Sequence, residues 1–196
     1  MSRRSDAEGE SRLEYLQKLI TEYEDSGSAD YKEQVMANLA NFAYDPGNHE
    51  WLLQLNVPDL FLDAVAEERE PRMEFAVGGL CNLAMNPTAR ATIIDKDGVS
   101  VLMLCLSSSN EETVLSGLAT LLLLARPGFR RGAGSCLSVP GAAVQGAVRL
   151  ARADSSRVRN LATIFLQDCC TTEQVTEAEK SESGSVVGIP LPPATP

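Results

Sequence analysis

Few side chains in this sequence are of the types that carry out chemistry, and their spacing does not form an enzyme site. The only histidine, His49, follows the turn sequence Pro46-Gly47-Asn48, and no serine, cysteine or carboxylate stands at a recognisable catalytic spacing from it. We therefore expect His49 to lie in an exposed loop without a catalytic role. With one histidine, no C-x-x-C pair and no phosphate-binding glycine loop, the sequence predicts no metal site, no cofactor and no enzyme activity.

The cysteines and the lack of long apolar runs indicate the environment in which we expect the protein. The cysteine count of five is odd, residues 1–11 are polar and charged, and no apolar run approaches the length of a membrane span. We therefore expect a reducing intracellular compartment and no membrane contact. Cys169 and Cys170 are adjacent, which would strain a disulfide, so we expect two partly buried thiols at a helix end.

Positive charge is concentrated in one part of an acidic chain. The formal net charge is −10, which argues against a general nucleic-acid binder, yet residues 126–159 hold seven arginines and one acidic residue. This arginine sector comprises Arg126, Arg130, Arg131, Arg149, Arg152, Arg157 and Arg159. Two interpretations stay open: contact with phosphate or an acidic partner, or a solvated face of the molecule.

The elements that position these residues show an internal repeat. One six-residue pattern, rich in leucine, alanine and asparagine, occurs four times at spacings of 41, 38 and 43 residues. The four copies are Asn38–Ala43, Gly79–Ala84, Gly117–Leu122 and Asn160–Phe165. These spacings are typical of armadillo and HEAT repeats, in which stacked helices bury one continuous core. The sequence therefore predicts an all-α protein, a short right-handed α-solenoid of about four repeats.

The pattern also gives the boundaries of the expected regions. A polar N-terminal tail covers residues 1–12, and the repeat domain covers residues 13–170, with repeats at about 13–55, 56–97, 98–137 and 138–170. A last helix and a proline-rich tail fill residues 171–196, and residues 127–141 are interpreted as a loop or a degraded short helix. Three residue pairs have the spacing of a helix-starting capping box: Asp30 with Glu33, Ser109 with Glu112, and Thr171 with Gln174.

These repeats resemble a known family. The segment Gly78–Ala84, followed by Arg90, Ile93 and the turn Asp97-Gly98-Val99, resembles the armadillo repeat. A narrower resemblance, from about residue 13 to residue 192, is to armadillo-repeat proteins linked to the minor spliceosome. The segments that carry it are residues 32–46, 105–116, 159–162 and 188–192.

The narrower resemblance implies a function that the residues alone do not give. It implies a nuclear, non-enzymatic scaffold of pre-mRNA splicing that acts beside an RNA-recognition-motif protein near the capped 5′ end of a small nuclear RNA. The protein is then expected to be a monomer within a larger ribonucleoprotein complex, touching RNA indirectly or through the arginine sector. The alternative is an armadillo adaptor outside splicing that contacts RNA or an acidic partner directly through that sector.

The resemblance also implies a binding site. In armadillo repeats the position of Asn41 and Asn82 lies on the concave groove, where a side-chain amide can bond to the backbone of an extended peptide. We expect a partner-binding stripe of equivalent positions: Asn38, Asn41, Gly79, Asn82, Gly117, Thr120, Asn160 and Thr163. Two alternatives stay open: the asparagines bond to neighbouring helices, and the glycines within helices serve close packing rather than a ligand. Because Ala37 and Gly78 replace the tryptophans of nuclear-import carriers, we do not expect binding of classical nuclear-localisation signals.

Overall fold

The computed structural model describes the backbone of residues 2–126 and 139–184 and the side chains of residues 12–126 and 139–182. Its described residues form helices joined by short turns. The helices are α1 (Ser2–Asp25), α2 (Ala29–Tyr44), α3 (His49–Gln54), α4 (Val57–Ala66), α5 (Arg72–Leu83), α6 (Pro87–Asp95), α7 (Gly98–Cys105), α8 (Glu111–Ala125), α9 (Gly141–Leu150), α10 (Ser156–Cys169) and α11 (Thr172–Gly184).

The helices stack in two layers. In the inner layer α2 packs against α5, α5 against α8, and α8 against α10; in the outer layer α4 packs against α7, α7 against α9, and α9 against α11. Each inner helix also packs against the outer helix that precedes it in the chain, and α1 covers α2. The four copies of the sequence pattern lie on α2, α5, α8 and α10. The predicted all-α solenoid is confirmed.

One apolar position shows how the repeat builds the core. Leu39, Leu80 and Leu118 stand at the same place in α2, α5 and α8, and each is fully buried. In α10, the last inner helix described, the buried residues are Val158, Ala162 and Phe165. Each repeat therefore hides its apolar face against its neighbours, as expected of a solenoid.

His49 corrects the sequence prediction of an exposed loop histidine. It begins α3, is buried, and its Nε2 lies 2.8 Å from the carbonyl oxygen of Ala43 near the C-terminal end of α2. The buried Arg90, 41 residues later, makes the equivalent contact: its Nη1 donates to the carbonyl oxygen of Ala84 at 2.6 Å. A polar side chain can be buried here because it satisfies a carbonyl left free at a helix end. His49 is therefore a structural residue.

Helix starts agree with the sequence at one predicted capping box and differ at two. Thr171 Oγ1 accepts from the Gln174 amide while Gln174 Oε1 accepts from the Thr171 amide, which is the predicted reciprocal pair. The side chain that caps α2 is Ser28 and the one that caps α8 is Asn110, so the pairs predicted from Asp30 and Ser109 are wrong by one or two residues.

The ends of the chain differ in part from the predicted regions. Residues 2–12, expected to form a polar tail, continue α1, since no proline interrupts them and glutamate, arginine and alanine favour helix. A helix follows residue 170 as predicted, namely α11. The expected loop at residues 127–141 lies outside the described residues except at its last three positions, and so does the tail from residue 185 onward.

Candidate protein-binding face

Two adjacent glycines show which side of the inner layer is open. A methyl group placed on Gly79 of α5 would lie 2.5 Å from the ring of Phe61 on α4, so this residue faces the outer layer. A methyl group on the adjacent Gly78 would meet nothing within 4 Å. Since successive helical residues turn by about 100°, Gly78 points away from the outer layer, across an open surface that we call the inner face.

The floor of the inner face is made of small residues. Residues three or four positions apart share one side of a helix, so Cys81 joins Gly78 on the open side of α5. The repeat spacing places equivalent small residues on the two flanking inner helices, and all of these residues are half-buried. The floor residues are Ala37 and Ala40 of α2, Gly78 and Cys81 of α5, and Ser116 and Ala119 of α8.

Two rims of opposite character border this floor. Toward the start of the inner helices lies the acidic rim, which consists of Glu33, Glu74 and Glu112. Toward their ends lies the apolar rim, which consists of Tyr44, Met85 and Leu123. Tyr44 is 79% exposed and Met85 is 59% exposed, values at which large apolar side chains contribute little to the core. The inner face therefore has carboxylates on one side, of which Glu74 also accepts from Asn110 and Glu112 also pairs with Arg157, and apolar side chains on the other.

Three residues of the predicted binding stripe are buried, which corrects that part of the prediction. Gly79 and Gly117 face the outer layer, and a methyl group on Gly117 would lie 2.5 Å from Cβ of Cys105. Thr120 is fully buried, and its hydroxyl donates to the carbonyl of Ser116 at 2.7 Å. The glycines thus serve close helix packing, the alternative that the sequence left open.

The asparagines of the stripe fall into different environments. Asn41 is exposed, whereas Asn82 is half-buried and its Nδ2 donates to the carbonyl oxygen of Ala40 on α2 at 3.3 Å. Asn82 therefore ties two inner helices together, although its second amide hydrogen and both lone pairs of its oxygen can serve other groups. Asn38 is half-buried and accepts from Gln34 at 3.3 Å.

The last inner helix presents the remaining stripe residues. Asn160 and Thr163 are exposed on α10, and the Thr163 hydroxyl donates to the carbonyl of Arg159 at 2.8 Å. The small floor residues of the other inner helices have no open counterpart on α10, where Ala162 is fully buried. The open floor therefore extends over α2, α5 and α8.

The described arginines of the arginine sector are mostly engaged within the molecule. Three of them pair with carboxylates: Arg126 with Asp168 at 3.4 Å, Arg152 with Glu182 at 3.1 Å, and Arg157 with Glu112 at 2.5 Å and Glu111 at 3.2 Å. The hydrogen bond from Arg157 lowers the pKa of Glu112.

The arginines are also separated in space. Arg157 and the partner of Arg126 are eleven residues apart on α10, so the two ion pairs lie about 17 Å apart. Arg159 donates to the carbonyls of Ala153 and Asp154 at 2.7 and 2.6 Å. Arg149 is exposed, and among the described residues it has no ion-pair partner. Arg130 and Arg131 lie outside the described residues. The three ion-paired arginines thus connect neighbouring helices, and the described arginines do not form one patch.

The described residues offer no metal site or membrane span. Within them no three histidine, cysteine, aspartate or glutamate side chains are grouped as ligands, and no helix is long and apolar enough to cross a membrane. Burial raises the pKa of the Cys105 thiol to about 12, and it also raises the pKa of the Cys81 thiol. Both thiols therefore stay protonated near neutral pH.

The sequence prediction missed the residues that form the open floor and the apolar rim. Gly78, Ser116, Tyr44 and Met85 each lie one position outside a six-residue copy, and the shift that relates Asn41 to Asn82 also relates Tyr44 to Met85. A signal for the rim was thus present: a large apolar residue recurs three positions after each asparagine. Its exposure depends on how far each helix extends past its neighbours, which the sequence does not state.

Comparisons with known proteins agree with this architecture. Armadillo repeat-containing protein 7 of the mouse is 49% identical over 181 residues, which are 92% of this chain and 90% of that protein. No protein-family model matches the chain.

Among solved structures, a designed armadillo repeat protein in complex with the peptide (KR)4 matches with a TM-score of 0.69 at 16% identity, over 88% of this chain and 76% of that one. Computationally designed armadillo repeat proteins for modular peptide recognition match with a TM-score of 0.68 at 20% identity, over the same shares. The structural likeness shows the armadillo fold, and the sequence relative shows that this chain belongs to the family of armadillo repeat-containing protein 7.

Proposed function

We propose that this protein is a non-enzymatic scaffold whose inner face binds an extended segment of a partner protein. The observation that carries the proposal is the bare floor: a methyl group added at Gly78 meets nothing within 4 Å, whereas one added at the adjacent Gly79 would collide with Phe61. Small floor residues let the backbone of a bound segment approach the helices. Asn41 and Asn82 can form hydrogen bonds with the N–H and C=O groups of that backbone, whichever side chains the segment carries.

The two rims favour a partner segment with two kinds of side chain. Basic side chains of the partner would face the acidic rim. Apolar side chains of the partner would cover Tyr44 and Met85, because burial of these exposed apolar groups from water is favourable. Of the structural neighbours, one holds a peptide of alternating lysine and arginine and another was designed for peptide recognition. Those peptide ligands support an extended protein segment as the class of partner here.

We propose further that the partner belongs to pre-mRNA splicing. The resemblance described above and the 49% identity to armadillo repeat-containing protein 7 support this assignment. In this proposal the protein works in the nucleus, in the minor spliceosome, as a monomer beside an RNA-recognition-motif protein near a capped small nuclear RNA 5′ end. It touches that RNA through its partner. Contact of RNA or an acidic partner with the arginine sector stays a prediction with less support, because most of the described arginines already bind carboxylates or carbonyls.

A pair of substitutions at one residue tests the inner face. Gly78→Leu fills the floor, while Gly78→Ala adds a single methyl group and serves as the matched control. We expect Gly78→Leu to weaken partner capture from nuclear extract by about 10- to 100-fold, the cost of overpacking a close contact. Proteins and RNA recovered by each variant are identified together, and thermal unfolding verifies that both variants are folded.

The outcomes separate the two levels of the proposal. Equal capture by the parent and by Gly78→Leu would contradict binding at the inner face. Recovery of neither splicing proteins nor small nuclear RNA by the parent would overturn the splicing assignment alone. The logarithm of RNA affinity can also be measured against the logarithm of salt concentration. If Arg149→Gln reduces the slope of this line by about 1, the result would support direct phosphate contact instead of contact through the partner.

A further inference from the structure

An arginine of the last described inner helix lies against two carboxylates at the start of α8. Arg157 Nη1 donates to Oε1 of Glu112 at 2.5 Å and to Oε1 of Glu111 at 3.2 Å, and its Nη2 donates to Oε2 of Glu112 at 3.2 Å. Two terminal nitrogens therefore face the two oxygens of one carboxylate, an arrangement that a guanidinium can form and a lysine ammonium cannot. We call Glu111 and Glu112 together the arginine site.

The arginine site belongs to the inner face. Glu112 is a member of the acidic rim, and it lies seven residues before Ala119 of the floor. Because seven residues make nearly two full helical turns, both side chains share the open side of α8. A segment that lies along the floor and reaches α8 can therefore present a basic side chain to this carboxylate.

The contact between Arg157 and the arginine site is exposed to water. The side chains of Arg157, Glu111 and Glu112 are 60%, 44% and 52% exposed, and ion pairs this exposed add little to stability. Arg72 at the start of α5 shows the opposite case, since its side chain is only 10% exposed where it pairs with Glu67. The core holds Arg72 in place, whereas Arg157 is held mainly by its two carboxylates and can leave them at little cost.

We propose that Arg157 fills the arginine site in the free protein and exchanges there with an arginine of the bound segment. This inference rests on the function proposed for the inner face, and it names the side chain that the acidic rim prefers at α8. A partner arginine can form the same two bonds with Glu112, while Arg157 moves into water. A lysine cannot form both bonds, so a segment with lysine at this position displaces Arg157 less well.

The exchange has a measurable effect on affinity. Arg157 competes with the partner for the oxygens of Glu112, so the apparent affinity falls by the fraction of molecules in which the site is free. We expect Arg157→Gln to tighten binding of an arginine-containing peptide by about 2- to 6-fold, the occupancy expected of an exposed ion pair. The probe is the peptide (KR)4, which one structural neighbour binds, and fluorescence anisotropy of the labelled peptide at low salt measures its affinity for the full chain. An octalysine peptide has the same number of positive side chains without a guanidinium, and we expect a smaller gain with it.

Three further variants separate exchange from a general effect of charge. Arg152→Gln is the matched control, because Arg152 is 62% exposed and pairs with Glu182 of α11 in the outer layer, and we expect it to leave both affinities unchanged. Arg157→Lys keeps the charge without the paired bonds, so it should tighten (KR)4 binding less than Arg157→Gln does. In a chain that carries Glu112→Gln, the further change Arg157→Gln should have no effect. Thermal unfolding verifies that each variant is folded.

The results distinguish this inference from the function on which it rests. If Gly78→Leu weakens (KR)4 binding but Arg157→Gln binds it no more tightly than the parent does, the exchange is overturned and the inner face stands. Equal gains in Arg157→Gln and Arg152→Gln, or equal gains for the two peptides, would also overturn the exchange, because net charge alone explains them. Failure of every chain to bind (KR)4 would overturn it too, while capture of the partner from nuclear extract judges the inner face separately.

Discussion

At the residue scale, Gly78 and Gly79 show that adjacent residues of one helix can have different roles, one on the open surface and one in the core. The two residues are neighbours in sequence, yet one faces Phe61 in the core and the other faces open space. A glycine within a helix lowers stability by about 1 kcal/mol relative to alanine. A helical glycine is therefore expected only where a larger side chain would not fit or where another function needs it. For Gly79 the reason is close packing of α5 on α4.

Alanine substitution should therefore have opposite effects at the two positions. Gly78→Ala should raise the free energy of unfolding by about 0.5–1 kcal/mol, because it removes backbone freedom without a clash. Gly79→Ala should lower the free energy of unfolding by about 1–3 kcal/mol, because its methyl group overlaps the ring of Phe61. Denaturant unfolding of the two variants measures both values. A fall in stability for Gly78→Ala would contradict the open position of this residue.

Cys105 gives a second prediction at this scale. Its buried thiol, with a pKa raised to about 12, should resist alkylation at pH 8 in the folded protein and react after unfolding. A thiol whose pKa is raised by folding contributes stability below its unfolded pKa of about 9, and this contribution is lost as pH rises toward 12. Mass spectrometry of alkylated peptides and denaturant unfolding from pH 8 to 11 measure the two effects. Rapid labelling of Cys105 in the folded protein would contradict its burial.

At the element scale, polar contacts at the starts of the inner helices fasten consecutive repeats. Glu70, just before α5, accepts hydrogen bonds from Ser108 Oγ at 3.0 Å and from Thr113 Oγ1 at 2.7 Å, and Thr113 is fully buried at the start of α8. Glu74 accepts from Asn110 Nδ2 at 2.7 Å. One repeat farther on, Arg157 makes the corresponding connection to the start of α8 through its ion pairs.

Removing the Glu70 carboxylate should weaken the contact between the second and third repeats. Glu70→Ala leaves the buried Thr113 hydroxyl without its acceptor, so the free energy of unfolding should fall by about 1–3 kcal/mol. Thr113→Val in the same chain should restore part of this loss, because it removes the unpaired hydroxyl. Chemical denaturation of the single and double variants measures the coupling. The exposed Glu68→Gln is the matched control, and an equal loss there would indicate a general charge effect rather than this contact.

At the scale of the whole molecule, stability depends on neighbouring repeats rather than on single helices. The side chains of Leu118 and Leu121 are buried because α8 has neighbouring inner helices on both sides, α5 and α10. The ends of the array are therefore its weak points, because a terminal helix has a neighbour on one side only.

Truncation should show this dependence directly. A chain ending at Ala125 lacks α9, α10 and α11, so α7 no longer packs against α9 and α8 no longer packs against α10. Each large apolar side chain that becomes exposed lowers the free energy of unfolding by about 1.5–3 kcal/mol. We expect this chain to be insoluble or to lose its cooperative thermal transition, measured by circular dichroism. A chain ending at Gly184 keeps every described helix and should keep the transition. Cooperative melting of the shorter chain near the temperature of the parent would contradict the linear architecture.

The sequence by itself determined the elements and their order. A repeat of about 40 residues with leucines at fixed positions predicts stacked helices. Each copy carries the same apolar stripe, and each stripe must be buried against a neighbouring copy. The reciprocal cap of Thr171 and Gln174 was predictable for the same reason, since both residues belong to one helical turn.

Only the tertiary structure decided which side of each inner helix is free. A shift of one residue turns a side chain by about 100°, so the repeat alignment placed Gly79 on the binding stripe when Gly78 is the open position. His49 is buried because a carbonyl of α2 needs a donor, and Arg157 is engaged because carboxylates 45 and 46 residues earlier lie beside it. Such partners come from other elements, and their approach depends on the packing of helices rather than on the spacing of residues along the chain.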